Sequence, residues 1–157
     1  SRVAFKGQLR LPKSMSLHSV SWRVHCSAVD DVEVIEAAMS QLSSGKTQIN
    51  KEKSKSHNGA PQTLLEIKVN NKKEAKQSLR SLGESVLNQI MENGLDSQID
   101  EDKVFHIRLS LSSFVAGNIR LAEGVDRKSA VKGRFKIESY PGQDPREVLL
   151  ELIRKSV

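Results

Sequence analysis

Apolar and polar residues alternate along five stretches of this chain, and the polar partner is repeatedly a base. From Ser19 to Ala28, the residues Val20, Trp22, Val24, Cys26 and Ala28 fall on one side, and Arg23 and His25 on the other. Phe105, Ile107, Leu109 and Leu111 oppose His106 and Arg108 in the same way, and Val131, Phe135 and Ile137 oppose Lys132, Arg134 and Lys136. Two shorter runs repeat the split: Leu65, Ile67 and Val69 against Glu66 and Lys68, and Ile119 and Leu121 against Arg120. Successive side chains of a strand point to opposite faces, so these runs predict one sheet with an apolar face and a basic face.

Helical spacing appears between the strands. Asp30 with Glu33 reads as a capping box, after which Val32, Ile35, Ala38, Met39 and Leu42 recur at helical intervals up to about Ser44. From Gly45 to Gln62 no period survives, and the stretch closes on Ser56, His57, Asn58, Gly59, Ala60 and Pro61, residues that favour a turn. A connection of this length is expected to be functional or disordered. The strand Thr63 to Val69 runs into Asn71, and Glu74 completes a second capping box. Ala75, Leu79, Leu82, Val86 and Ile90 then line one long helix, which Asn93 and Gly94 end, with Leu95 able to fold back on its last turn. Strands are expected at 103–113, 116–122 and 130–140, with Glu123 to Ser129 as a polar turn. A last helix opens on Asp144 and Pro145, carries Glu147 in its first turn, and presents Val148, Leu149, Leu152 and Ile153. The predicted order is β-α-β-α-β-β-β-α. Clean alternation argues against a sheet covered on both faces, so the fold class is α+β: two layers, a largely antiparallel five-stranded sheet, helices on one face.

The 157 residues suffice for one domain with its own core, placed here at 15–157. Residues 1–14 lack a starting methionine and read as an upstream extension or a cloning remnant. A formal charge of +6 favours an anionic partner, nucleic acid first. A membrane surface fits less well, because no amphipathic helix joins a lysine-rich face to bulky aromatic anchors. The single cysteine, Cys26, excludes a disulfide within the chain or a cysteine zinc site, and its inward position reads as a small buried hydrophobe. No apolar run is long enough for a transmembrane helix and no signal-peptide pattern is present, which together with the cysteine usage predicts a cytoplasmic setting.

Three basic constellations compete for the anion. Arg23, Arg108, Lys132, Arg134 and Lys136 occupy the predicted outer face of the sheet. At this point two accounts stand level: a surface that grips a polyanion, and the ordinary polarity of any open sheet in a lysine-rich chain. A third use of the face is pairing with another copy. Lys72, Lys73 and Lys76 crowd the first turns of the long helix, where cations oppose the helix dipole unless a phosphate joins them. Lys51, Lys53, Lys55 and His57 lie in the long connection, as a basic arm or as solubilising linker. Trp22, Phe105 and Phe135 alternate to the apolar side, so bases are not expected to stack on the sheet, and contact through phosphates is the expected mode. Catalytic readings find little support: His18, His25, His57 and His106 lack metal-ligand spacing, and no nucleophile elbow, phosphate-binding glycine loop or zinc-protease motif occurs. No metal or cofactor is expected, and the protein reads as non-enzymatic.

The strand Trp22 to Val29 followed by Asp30-Asp31-Val32-Glu33, the turn His57-Asn58-Gly59-Ala60-Pro61, the segment Ile119-Arg120-Leu121-Ala122-Glu123-Gly124 and the ending Lys136-Ile137-Glu138-Ser139-Tyr140-Pro141 carry a family resemblance. Over about residues 18–154 the chain resembles an archaeal family of exosome-associated RNA-binding proteins. That resemblance implies an α+β fold related to the double-stranded RNA-binding domain and to ribosomal protein L-five, homodimers, and RNA as ligand. Asn58 and Ala60 depart from the family's usual turn. Lys72-Lys73-Glu74-Ala75-Lys76 also resembles the KKxAK element of double-stranded RNA-binding domains. There the element opens the helix after the three-stranded sheet, whereas here that helix begins at Asp144. The resulting expectation is an RNA-binding accessory protein serving RNA processing or degradation, with exosome or other RNA-processing proteins as partners. The rival is a protein interaction module that dimerises through the outer sheet face or edge.

Overall fold

The computed structural model describes residues 16–43, 48–55, 57–94 and 98–156. The expectations for residues 1–14, Lys46, Ser56 and Leu95 lie outside these. In chain order the elements are β1 (Ser16–Ser27), α1 (Val32–Met39), β2 (Asn50–Lys55), β3 (Pro61–Val69), α2 (Lys72–Arg80), α3 (Glu84–Asn93), β4 (Val104–Ser110), α4 (Leu111–Val115), β5 (Ala130–Glu138) and α5 (Pro145–Ser156), with short 3-10 segments at Ser40–Leu42 and Gly124–Ser129. The five strands form one antiparallel sheet in the order β2-β3-β1-β5-β4. The fold is therefore the two-layer α+β arrangement that the alternation predicts.

The alternation assigns the core. Val20, Trp22, Val24 and Cys26 of β1, Leu65, Ile67 and Val69 of β3, Phe105, Ile107 and Leu109 of β4, and Val131, Phe135 and Ile137 of β5 are all buried beneath the helices. A bulge in β1 between Leu17 and Ser19 shifts the register by one, which is how Leu17 is buried too. Ala28, expected on the same side, is exposed because β1 ends at Ser27. Trp22 packs edge-on against Phe135, ring centroids 5.5 Å apart, and its indole N–H donates to the buried Ser78 hydroxyl of α2 at 2.8 Å. Gly133 of β5 lies against the same indole. An ideal Cβ there would stand 2.5 Å from the Trp22 ring and 2.8 Å from the Ile107 side chain, so only glycine fits. The Cys26 thiol is fully buried, and burial, then Asp30 and Glu36, push its pKa up to about 11.

Four expectations about the elements are corrected. The connection 45–62 holds a strand, β2, all six of whose residues are exposed. The single long helix is two, broken at Gly83, whose φ of 87° lies in the left-handed region. The strand from 103 stops at Ser110, whose hydroxyl caps the short α4 by accepting from Ser113 N, and Leu111 and Phe114 then turn inward. Residues 116–122 form no strand, only a bridge from Leu121 to Leu109. The element order along the chain is thus β-α-β-β-α-α-β-α-β-α. Helix α1 is capped by Asp31, whose carboxylate accepts from Val34 N, while Asp30 folds back onto Ser27. Asn71 and Asp144 cap α2 and α5 as predicted, accepting from Lys73 N and Arg146 N. Among the described residues, no helix is long and apolar enough to cross a membrane.

A cationic sheet face as the candidate RNA interface

Strand register decides what the outer face presents. Arg23 of β1 stands opposite Lys132 of β5, and Lys132 stands opposite Arg108 of β4, so three cations occupy one row across the sheet, with Glu66 of β3 at its end. The next row runs Lys68, Ser21, Arg134 and His106, and the row after it pairs Ser19 with Lys136 and Lys136 with Val104. Opposed residues on neighbouring strands have Cβ atoms about 5 Å apart, and two like charges held at that separation would repel by about 0.8 kcal/mol even in bulk water. Gathering them disfavours the free protein and is offset only in part. Arg23 pairs with Glu66 at 3.1 Å, and Lys68 reaches the same carboxylate at 4.0 Å. Arg108 donates to the Arg127 carbonyl at 2.8 Å, and Lys136 donates to the Asp102 carbonyl. Among the described residues, Lys132 and Arg134 have no carboxylate partner.

The field of this face is felt by its neighbours. His25, on the same side of β1, has its pKa held below the usual histidine value by partial burial first, then by Lys132 and Arg23. His106 is instead held by Asp100 at 2.7 Å, and that carboxylate also accepts from the amides of Asp102 and Val104. The hydrogen bond from His106, then that from Val104, keep the Asp100 carboxyl below its ordinary pKa. A hollow of about 580 Å³ opens over Arg23, Arg108, Arg127, Lys132 and Arg134, and a second of about 500 Å³ over His18, Lys68, Arg134 and Lys136. Arg134, exposed and central, lines both.

The remaining basic residues lie elsewhere. Lys51 is paired with Leu65, an inward position, so Lys51, Lys53 and Lys55 alternate to the helix side of the sheet, and Lys51 binds Glu36 of α1 at 2.7 Å. That bond, first, raises the lysine's pKa. His57 sits in the exposed β2–β3 turn. At the start of α2, Asn71 Oδ1 takes the amides of Lys73 and Glu74, so two donors that a phosphate would use are already engaged. Lys72 pairs with Glu138 at 3.0 Å, which joins this terminus to the end of the outward row of β5. The structure therefore unites Arg23, Arg108, Lys132, Arg134 and Lys136, brings Lys72 to one corner through Glu138, leaves Lys73 and Lys76 on α2 with no bond to the face among the described residues, and separates Lys51, Lys53, Lys55 and His57. Sequence reasoning missed Arg127 and the Asp100–His106 pair. Arg127-Lys128 in a polar turn was a visible signal for the first, and nothing in the sequence marked the second. Among the described residues, no cluster of three His, Cys, Asp or Glu side chains could hold a metal ion.

A family model described as RNA binding matches residues 19–137, which span every strand of the sheet except its termini. Among solved structures, a DUF54 protein from Archaeglobus fulgidus is similar at 26% identity and TM-score 0.72, covering 90% of this chain and 100% of its own. A DUF54 protein from Methanothermobacter thermautotrophicus aligns at 22% identity and TM-score 0.70, covering 89% and 97%, and a third from Sulfolobus solfataricus at 18% identity and TM-score 0.65, covering 88% and 99%. Among curated proteins, none matches this chain.

Proposed function

Because the chain belongs to the RNA-binding family, we propose that its open sheet face is where RNA is held, chiefly through phosphates and without catalysis. One observation carries the reading: the cross-strand row Arg23, Lys132 and Arg108, with Arg134 beside it, places like charges against one another, and Lys132 and Arg134 stand without carboxylate partners among the described residues. A polyanion relieves that repulsion, whereas a face selected only for solubility gains nothing by stacking its cations. Lys72, Lys73 and Lys76 extend the track at the corner, and the lysines of β2 take a secondary part. Service in RNA processing or degradation beside exosome components is the setting that the family resemblance favours, and the lone buried Cys26 thiol fits a reducing cytosol. Filter binding of RNA across a salt series tests the proposal. With about six phosphates neutralised, log affinity falls with log salt at a slope near −4 for a single strand. Absence of binding to any RNA at low salt refutes it.

The second reading, a homodimer, is supported by β2, a strand with a neighbour on one side only and every residue exposed. Light scattering of the wild type and of Arg108→Glu/Arg134→Glu separates the two. A change of mass with RNA affinity intact favours a subunit contact on the outer face. Lost affinity with mass unchanged favours the nucleic-acid track on this face and leaves a dimer only the β2 edge, which a monomeric wild-type mass excludes.

A further inference from the structure

Strand β4 is an edge strand, yet most of its edge is closed. It turns the backbone groups of its even-numbered residues away from β5, and two short segments take them up. Asp100 N donates to Val104 O at 3.0 Å and His106 N donates to Gln98 O at 2.8 Å. At the other end Ala122 N donates to Arg108 O and Ser110 N donates to Arg120 O, both at 2.8 Å. Between these segments stay the carbonyl of His106 and the amide of Arg108. No hydrogen bond among the described residues reaches either.

This gap opens into the larger hollow of the cationic face. Ile90 and Asn93 of α3, Leu121 and Ala122, and the cations Arg108 and Arg127 line it together with His106 and Ile107. The Arg108 guanidinium is fixed there by its bond to the Arg127 carbonyl. The opening is closed at both ends after one acceptor and one donor, too short to receive another β-strand. It suits a small planar group that offers a donor beside an acceptor and has apolar faces. The Watson–Crick edge of a nucleobase has that chemistry, guanidinium planes stack on bases, and the neighbouring Lys132 and Arg134 suit the phosphates of the same strand.

We propose that this notch receives one unpaired nucleobase of the bound RNA, with His106 O accepting from the base and Arg108 N donating to it. The inference rests on the phosphate-track reading and deepens it: the ligand is single-stranded at this point, and one base is read at the sheet edge although none stacks on the sheet itself.

Fluorescence anisotropy with a labelled oligoadenylate of about ten nucleotides, against the same ribose-phosphate chain without bases, tests the notch. The base-bearing RNA is expected to bind about tenfold more tightly, the worth of a two-bond base contact. Asn93→Trp, at an exposed position whose larger side chain fills the opening, is expected to abolish that preference while leaving the salt slope unchanged. Equal affinity of the wild type for both probes overturns the notch and leaves the phosphate track standing. A preference that survives in Asn93→Trp overturns its location. Failure of both probes to bind at low salt overturns the track, and the notch with it.

Discussion

The two faces of β5 are written in the same nine residues and obey different rules. On the inner side Val131, Gly133, Phe135 and Ile137 meet the core, and shape decides: at Gly133 a single added carbon collides with Trp22. On the outer side Lys132, Arg134, Lys136 and Glu138 meet solvent, and only the sign and spacing of charge are constrained. One strand thereby separates stability from binding. Substitutions on one face should unfold the protein, and those on the other should disarm it.

Gly133→Ala gives the largest expected loss of stability, about 3 kcal/mol, since the clash is with a buried ring and an Ile107 methyl rather than with a flexible tip. A urea midpoint close to that of the wild type would show that the inner face is more forgiving than its geometry indicates. Ser78→Ala removes the acceptor of the buried Trp22 N–H and should cost about 1–3 kcal/mol by the same measurement. Asn71→Ala, which strips the cap from α2, should cost about 1 kcal/mol. The outer face should invert the pattern. Lys132→Ala/Arg134→Ala is expected to change stability by less than about 0.5 kcal/mol while lowering the magnitude of the RNA salt slope by about 1.4. A large stability loss here would mean that the two faces are not independent.

The smallest effect is a titration. His25 is a base whose folded pKa is lowered, so the unfolded chain binds its proton more readily. Its contribution to stability is present above about 6.5, the unfolded value, and is lost as pH falls through the lower folded value. By NMR the midpoint should lie below 6.5 and rise when RNA phosphate replaces the influence of Lys132 and Arg23. A midpoint unmoved by saturating RNA would place the phosphates away from this row.

How much of this was legible depended on burial. Strands β1, β3, β4 and β5 bury one face, and their alternation gave the core, the basic side and the two-layer class. Strand β2 buries neither, so Asn50 to Lys55 carry no apolar period and read as a loop. The break at Gly83 was hidden because Leu79, Leu82, Val86 and Ile90 keep helical spacing across it, one core surface being served by two helices. The false strand at 116–122 came from Ile119 and Leu121, which are half-buried and packed against the core, so that a single bridge mimics a strand's pattern. For the site, the outward residues were readable but their adjacency was not. Register is a long-range property, and only the order β1-β5-β4 brings Arg23, Lys132 and Arg108 into one line.

The sealed thiol of Cys26 has a practical corollary. With its sulfur inaccessible and its proton retained far into the alkaline range, the native chain should be silent toward maleimides at neutral pH. A reporter cysteine substituted for Ser21, in the row between Lys68 and Arg134, could then be labelled without background, making the wild-type protein its own blank for footprinting where a ligand lies.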